Sequence, residues 1–434
     1  MEPDRMILTL APAIEPTTIP DLDSFMSLYL SYIGNSECPT FYHRWCCLSM
    51  IGAYLGRTYN LDHGHFKLYP NLYVMLIGQP GTRKSTAIKI AKSIIKGAGY
   101  DKISAEKSSK EKFLLDLAGE DVGGAIDLDT ILDQNLWGES NGAINEMYIA
   151  CDEFNDFIGT GNIEFISMLG SLWDFNGVYK NRIKSGKSVS INDPTISILG
   201  GNTPVNFIRA FPPEILGQGF FSRLLLIQGE ASGKKITFPE KPSVEATNKM
   251  IHALQRIKVT SVGSAKLGKK SKDMLDKIYQ EYKGIDDSRF ESYTQRRFSH
   301  LLKLCLIVSA MNYSSEITTD HIIEANTILT HTEHLMPSAL GEFGKSRNSD
   351  ITHKIMGLLN NAYNPLTVND LWIHVHKDLE KMNELGDILR NLVSANRIVA
   401  AGGGFLARRS LVEETDSEVL DYRYLTTEER EMRK

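Results

Sequence analysis

Leu72-Tyr73-Val74-Met75-Leu76-Ile77-Gly78-Gln79-Pro80-Gly81-Thr82-Arg83-Lys84-Ser85-Thr86 is the stretch that decides the fold of this chain. An apolar, β-branched run reaches Ile77, two glycines frame a turn, and Lys-Ser opens a stretch with helical spacing that continues to Ile95. Strand, glycine loop and helix in that order are the layout of a phosphate-binding loop. Backbone N–H groups can wrap phosphate oxygens only where the chain turns tightly and approaches closely, which is the part assigned to Gly78 and Gly81. Thr82 lies within the loop, Lys84 would reach the β and γ phosphates, and the Ser85 hydroxyl, followed by Thr86, would face Mg²⁺. The helix that starts at Ser85 points the positive end of its dipole at the nucleotide. Arg83 stands where the pattern G-x-x-x-x-G-K-[ST] has glycine. Either the backbone there needs no positive φ or the loop is distorted, and the guanidinium either joins the phosphates or points to solvent. The plain alternative to the whole motif is a chance glycine turn between a strand and a helix.

With 434 residues, 42% of them hydrophobic, the chain can build two or three domains with buried cores. A net charge of −5 argues against a uniformly basic nucleic-acid coat, so DNA contact would come from local patches. Cys38, Cys46, Cys47, Cys151 and Cys305 are odd in number and lack CxxC spacing, which fits free thiols in a reducing compartment and a cytoplasmic location. Residues 1–23 carry acidic residues and prolines without a long apolar core, so they do not read as a signal peptide, and the apolar run 304–311 is too short to span a bilayer.

Residues 21–33 and 41–55 show helical spacing, which predicts a helical N-terminal region over 1–62. From 63 to 235 strands and helices alternate, as in an α/β layered domain with a mainly parallel sheet. Over 236–345 strand signals fade and helices over 271–282, 294–311 and 319–340 read as a helical lid. Residues 346–412 give three helices and then two short strands joined by Gly402-Gly403-Gly404, the pattern of a winged helix. The remainder, 413–434, is a charged tail.

Mg²⁺ needs a second anchor, and an attacking water needs orienting. Met147 to Cys151 reads as a buried strand that ends in Asp152 and Glu153. Asp152 would hold the metal shell, and Glu153 would take a proton from the water that attacks the γ-phosphate. A strand capped by a solvated acidic turn is the bland alternative. Thr195 to Leu199 runs into Gly200-Gly201-Asn202-Thr203-Pro204, and Asn202 at a neighbouring strand end would hydrogen-bond the γ-phosphate or the water, unless this is ordinary turn chemistry. Arg223 sits at the mouth of the apolar run 224–227. A cation there asks for a counter-charge, which the γ-phosphate of a neighbouring subunit would supply as its target. Arg296 and Arg297 head a lid helix, either as a second nucleotide sensor or as a solvated basic face.

Together these residues resemble the AAA+ ATPases. Residues 69–227 are similar to phage and prophage replication ATPases, predicted helicases that carry Pro-Asn-Leu-Tyr before the loop, here Pro70 to Tyr73, and Arg-Lys-Ser within it, here Arg83 to Ser85. Ser222-Arg223-Leu224 and the helix after Arg296 also resemble superfamily 3 and minichromosome-maintenance helicases. The likeness covers about residues 40–340. It implies ATP and Mg²⁺ as cofactors, with Lys84, Ser85, Asp152, Glu153 and Asn202 at the bound nucleotide and Arg223 reaching a neighbour's.

Residues 178–191 read as a β-hairpin with Lys180, Arg182, Lys184 and Lys187 along its arms and tip. In ring helicases a hairpin at this place in the motif order enters the central pore, where such cations would grip DNA; otherwise the lysines blunt an exposed edge. The winged helix, with Arg390 offset by Glu384 and Asp387 and with Arg397, Arg408 and Arg409 about its wing, is open to duplex DNA or to a replication protein. The expectation is a ring, a hexamer, that unwinds or translocates on single-stranded or forked DNA during phage or mobile-element replication, with no membrane partner. The alternatives are a helicase loader, initiator or remodelling switch, and a nucleotide-binding scaffold without turnover.

Overall fold

The computed structural model describes residues 24–34, 36–119, 145–159, 161–182, 188–211, 219–229, 232–341, 347–362, 364–379, 381–394, 397–401 and 403–407. They form two compact units, a first that ends at Gly341 and a second that follows it.

The first unit opens with helices α1 (Phe25–Tyr32) and α2 (Thr40–Leu55) and the short hairpin of β1 (Tyr59–His63) and β2 (Phe66–Leu68). Next come β3 (Tyr73–Ile77), α3 (Lys84–Gly97), β4 (Glu146–Cys151), α4 (Ile163–Leu172), a second hairpin of β5 (Val178–Arg182) and β6 (Ser188–Asn192), then β7 (Thr195–Asn202) and β8 (Leu224–Gln228). Helices α5 (Val244–Thr260), α6 (Lys269–Glu281), α7 (Arg297–Met311) and α8 (Thr319–Leu340) follow, and shorter elements, among them the helices Phe154–Ile158 and Pro204–Ala210, fill the connections. The main sheet has the order β4-β7-β3-β8 and is wholly parallel. Every residue of β3 and β7 is buried, as expected of strands covered by helices on both faces.

The helices after residue 236 are fixed to this sheet. Nearly all of α7 is buried, so it is a core helix rather than an amphipathic cover. Lys303 on α7 has no exposed side-chain surface; its Nζ donates to Tyr69 O at 2.8 Å and Asn71 Oδ1 at 2.6 Å and pairs with Asp174 at 2.7 Å. Asn71 in turn donates to Trp173 O and Ile196 O at 2.7 and 3.0 Å. The Pro-Asn-Leu-Tyr segment is therefore a structural knot joining β3, β7 and α7. Trp45 Nε1 ties α2 to α8 by donating to Thr332 Oγ1 at 3.0 Å. Helix α5 lay outside the sequence reading because only Met250, Leu254 and Ile257 of its seventeen residues are buried, too narrow a stripe to stand out.

The second unit holds α9 (Arg347–Asn361), α10 (Val368–Val375), α11 (Met382–Ser394) and the antiparallel pair β9 (Ile398–Ala401) and β10 (Gly404–Ala407). Its core gathers Ile355, Leu371, Leu385, Leu389 and Ile398, and Leu366 bridges to Phe405. The expected charged tail over 413–434 lies outside the described residues.

Candidate nucleotide site

Parallel strands bring their carboxyl ends to one edge of a sheet, where ligands of open α/β folds bind. Ile77, the last residue of β3, pairs with Asn202, the last of β7, while Cys151, the last of β4, pairs with Gly200. The glycine loop therefore leaves the sheet beside Asn202, and Asp152 and Glu153 leave it on the other side of the same strand. The Asn202 carbonyl accepts the Gly78 N–H at 3.3 Å. A Cβ on Gly78 would come within 2.2 Å of Tyr42 Oη, so this close approach requires glycine. Gly81 turns the loop with φ of +86°.

Lys84 opens α3 and folds into the arch of the loop. Its Nζ donates to Gly78 O at 2.7 Å, Gln79 O at 3.1 Å and Thr82 Oγ1 at 3.2 Å. Burial lowers its pKa, and the Glu153 carboxylate pulls it back up. Thr82 is buried beneath the loop, Ser85 is half-buried at its exit and Thr86 is exposed.

Arg83 has φ 62° and ψ 22°, so the position does take the left-handed conformation that glycine serves in the usual pattern. Its side chain stays 54% exposed to solvent while it pairs with Glu37. Nε donates to Glu37 Oε2 at 2.8 Å, and the ion pair closes to 2.6 Å. Glu37 also accepts the Ile236 N–H at 2.8 Å, and that bond, followed by Arg83, holds its carboxyl below the usual range. This clasp edges a cavity of about 710 Å³ lined by Tyr32, Ile33, Cys38, Thr86, Ile90 and Pro239, among others. An apolar recess with a few polar groups next to a phosphate loop suits a base and sugar. The sequence reading missed it because its walls come from three distant segments with no shared pattern.

Asp152 pairs with Lys89 at 3.1 Å, and Lys89 is one helical turn beyond Ser85 on α3. The carboxylate thus lies over the Ser85 face of that helix. Mg²⁺ at a triphosphate asks for one or two protein oxygens beside the phosphates, so Ser85 and Asp152 fit it. Lys89 was not foreseen, since on α3 alone it reads as a surface lysine. The Asn202 side chain is wholly buried; its Nδ2 donates to Asn155 Oδ1 at 2.8 Å. Asn202 Oδ1 and Glu153 Oε2 are both buried without a hydrogen-bond partner among the described residues.

Arg223 lies at the other edge of the sheet. Leu224, the first residue of β8, pairs with Tyr73, the first of β3, so Arg223 is separated from the loop by the strand length, roughly 15 Å. It donates to Gly219 O and lies 5.8 Å from the Trp173 ring centre, while its Nε is buried with no partner among the described residues. Burial and then the positive charge of Arg296 lower its pKa. Arg296 belongs to this edge as well: it precedes by one turn His300, whose Nε2 lies 3.1 Å from Ser222 O. The structure thus places Arg296, one of the two expected sensor arginines, a strand length from the loop. Arg297 is corrected. It is 3% exposed and committed to Glu333 at 2.9 Å and Asn326 Oδ1 at 2.7 Å, so it is neither a nucleotide contact nor a solvated face.

The hairpin over 178–192 forms, with Val178 opposite Asn192 and Arg182 opposite Ser188. Arg57 grips its base: Nε donates to Thr195 Oγ1 at 2.6 Å, a second nitrogen donates to Phe175 O at 2.5 Å, and the side chain pairs with Asp193 at 3.5 Å. Lys180 is exposed on one arm and Arg182 ends β5, whereas Lys184 and Lys187 at the expected tip lie outside the described residues. In the second unit, Arg390 is paired with Asp387 and Arg397 is exposed; Arg408 and Arg409 lie outside the described residues. All five cysteines are free and buried. Among the described residues no helix is long and apolar enough to cross a membrane. The sequence matches no protein-family model and has no significant match among curated proteins.

Proposed function

We propose that this chain is an ATPase of the AAA+ type that assembles as a ring, most simply a hexamer, and moves or unwinds DNA in phage or mobile-element replication. One observation carries the reading: Lys84, Asp152, Glu153 and Asn202 leave three adjacent parallel strands at one edge, with the Asn202 strand between the other two. That is the set of groups a hydrolytic triphosphate site needs at one place. The loop N–H groups and Lys84 bind the β and γ phosphates, Ser85 and Asp152 hold Mg²⁺, and the recess beside Arg83 takes the base. Mg²⁺ held by Ser85 and Asp152 would offset the charge of the phosphates. Glu153 takes the proton of the attacking water.

Assembly follows from Arg223. A half-buried guanidinium at the far edge of the sheet serves a phosphate only if that phosphate belongs to a neighbouring copy, and such contacts close when repeated around a ring. The anchored hairpin supports action on a strand, because Arg57 couples its base to β7, whose end is Asn202. The layout of the second unit, three helices and a hairpin, is that of a winged helix, a module that can bind DNA or a replication protein. The test is the ATP hydrolysis rate with and without single-stranded DNA, for wild type and Lys84→Ala. Hydrolysis stimulated by DNA and lost in the variant supports the motor; slow hydrolysis indifferent to DNA turns the reading to a loader, and none at all to a scaffold.

A further inference from the structure

Asn202 can serve a triphosphate in two ways that differ in sign: its Nδ2 can donate to the γ-phosphate, or its Oδ1 can accept from water. The side chains around it decide which. Asn155, two residues beyond Glu153, donates Nδ2 to the carbonyl of Asn206. A carbonyl only accepts, so this contact fixes which way the Asn155 amide faces. Its Oδ1 is thereby turned to Asn202, which must answer with Nδ2, at 2.8 Å. The donor end of Asn202 is spent, and what remains is Oδ1, buried and without a partner among the described residues. Glu153 Oε2 is in the same condition. Each of the two residues stands two positions beyond the Cys151–Gly200 pair, Glu153 just past the end of β4 and Asn202 at the end of β7. Close backbone contact continues past that pair, for a Cβ on Gly201 would fall 2.3 Å from Asp152 O. Two buried, unpartnered acceptors on neighbouring strand ends can be met by one molecule that donates twice, and water does so.

Resting on the ATPase reading above, we propose that Asn155 is a positioning residue that locks Asn202 as an acceptor for the attacking water, opposite Glu153. Held by both, the water directs a lone pair at the γ-phosphorus. Its oxygen bonds to that phosphorus, one proton passes to Glu153, and the bond from phosphorus to the β-γ bridging oxygen breaks with its electrons leaving on ADP. The proton on Glu153 is released afterwards with the phosphate. Asn155 touches neither water nor nucleotide and acts only through Asn202.

A double-mutant cycle on the full chain tests this. Turnover at saturating ATP and the affinity for ATP are measured for wild type, Asn155→Ala, Asn202→Ala and the pair. Each single change is expected to lower kcat about 10²-fold with ATP affinity unchanged, and the pair to be no slower than Asn202→Ala. Asn155→Asp keeps an acceptor for the Asn202 amide but loses the donor to Asn206 O, so it should lower kcat as much as Asn155→Ala does or less, and again without a further fall when combined with Asn202→Ala. Effects that multiply in either pair overturn the proposal. If Asn155→Ala does not fold, Asn155→Ser, too short to hold both partners, takes its place in the cycle. A wild type without turnover overturns the reading of the site itself, and the proposal with it, and is told apart by the first measurement of the set.

Discussion

Arg83 and Glu37 are joined at 2.6 Å across the mouth of the phosphate loop, with the arginine backbone held at φ 62°. Conformation and charge make separate contributions here, and two substitutions separate them. Arg83→Gly and Arg83→Ala both remove the ion pair, but only alanine keeps the penalty of the left-handed backbone. Arg83→Ala should therefore be about 1 kcal/mol less stable than Arg83→Gly in denaturant titrations. Both should still bind ATP, because the loop contacts of Lys84 do not involve the guanidinium. Equal stability of the two variants would mean that the backbone relaxes at this position.

Arg297 is bound to Glu333 in the interior, and neither has access to water that could replace the other. Burial acts against the Arg297 charge, but Glu333 and the nearby tyrosines outweigh it and raise its pKa. Arg297→Ala should cost about 3–5 kcal/mol, since it leaves a buried carboxylate unpaired. Replacing both partners by apolar residues should recover most of that loss. Arg296→Ala, one residue earlier, should stay within about 0.5 kcal/mol of wild type. Thermal melts of the three variants decide the matter, and a mild Arg297→Ala would show that Glu333 finds another donor.

These two arginines show where sequence reading works and where it stops. The phosphate loop, the paired carboxylates and Asn202 were legible because each needs a strand, a turn and a residue type within a few positions. The sheet then brings them together through register, which follows from buried apolar strands. Arg296 and Arg297 were indistinguishable as letters: one is half-buried near Arg223, and the other meets a glutamate 36 positions away, a pairing that only the packing of α7 on α8 creates. The same holds for Lys89 and Asn155, whose partners come from other elements. The recess beside Arg83 is assembled from three segments, none of which carries a recognisable pattern.

His300 is fully buried, with Nε2 facing Ser222 O and Nδ1 lacking a partner among the described residues. Burial, joined by the charges of Lys303 and Arg296, pushes its pKa down to about 4 against the opposing effects of the Ser222 carbonyl and Asp174. His43, on the buried face of α2, is likewise lowered to about 4. A histidine kept neutral in the folded state binds its proton first in the unfolded chain, so stability falls as pH drops from about 6.5 towards 4. Each group contributes up to about 1.4 kcal/mol per pH unit within that window. Denaturation midpoints between pH 7 and 4.5 should decline, and His300→Gln should flatten the decline; an unchanged slope would assign it to other groups.

Arg223 and Lys84 lie at opposite edges of one sheet, so no single chain can bring them to the same phosphate. If both serve hydrolysis, loss of either should silence the protein while leaving ATP binding intact in Arg223→Ala; a finger of this kind is worth about 10³–10⁵ in turnover. Mixing the two dead variants then gives a quantitative expectation. A productive interface needs the intact loop of an Arg223→Ala chain beside the intact finger of a Lys84→Ala chain, which random equal mixing supplies at about a quarter of interfaces. Turnover should return towards that fraction of wild type. Arg296→Ala tests whether the second cation at this edge shares the task, by a fall in turnover without change in melting temperature. Mixtures that stay silent under conditions where the chains exchange would rule out a contact between subunits and leave Arg223 as part of the Trp173 and Asp174 cluster alone.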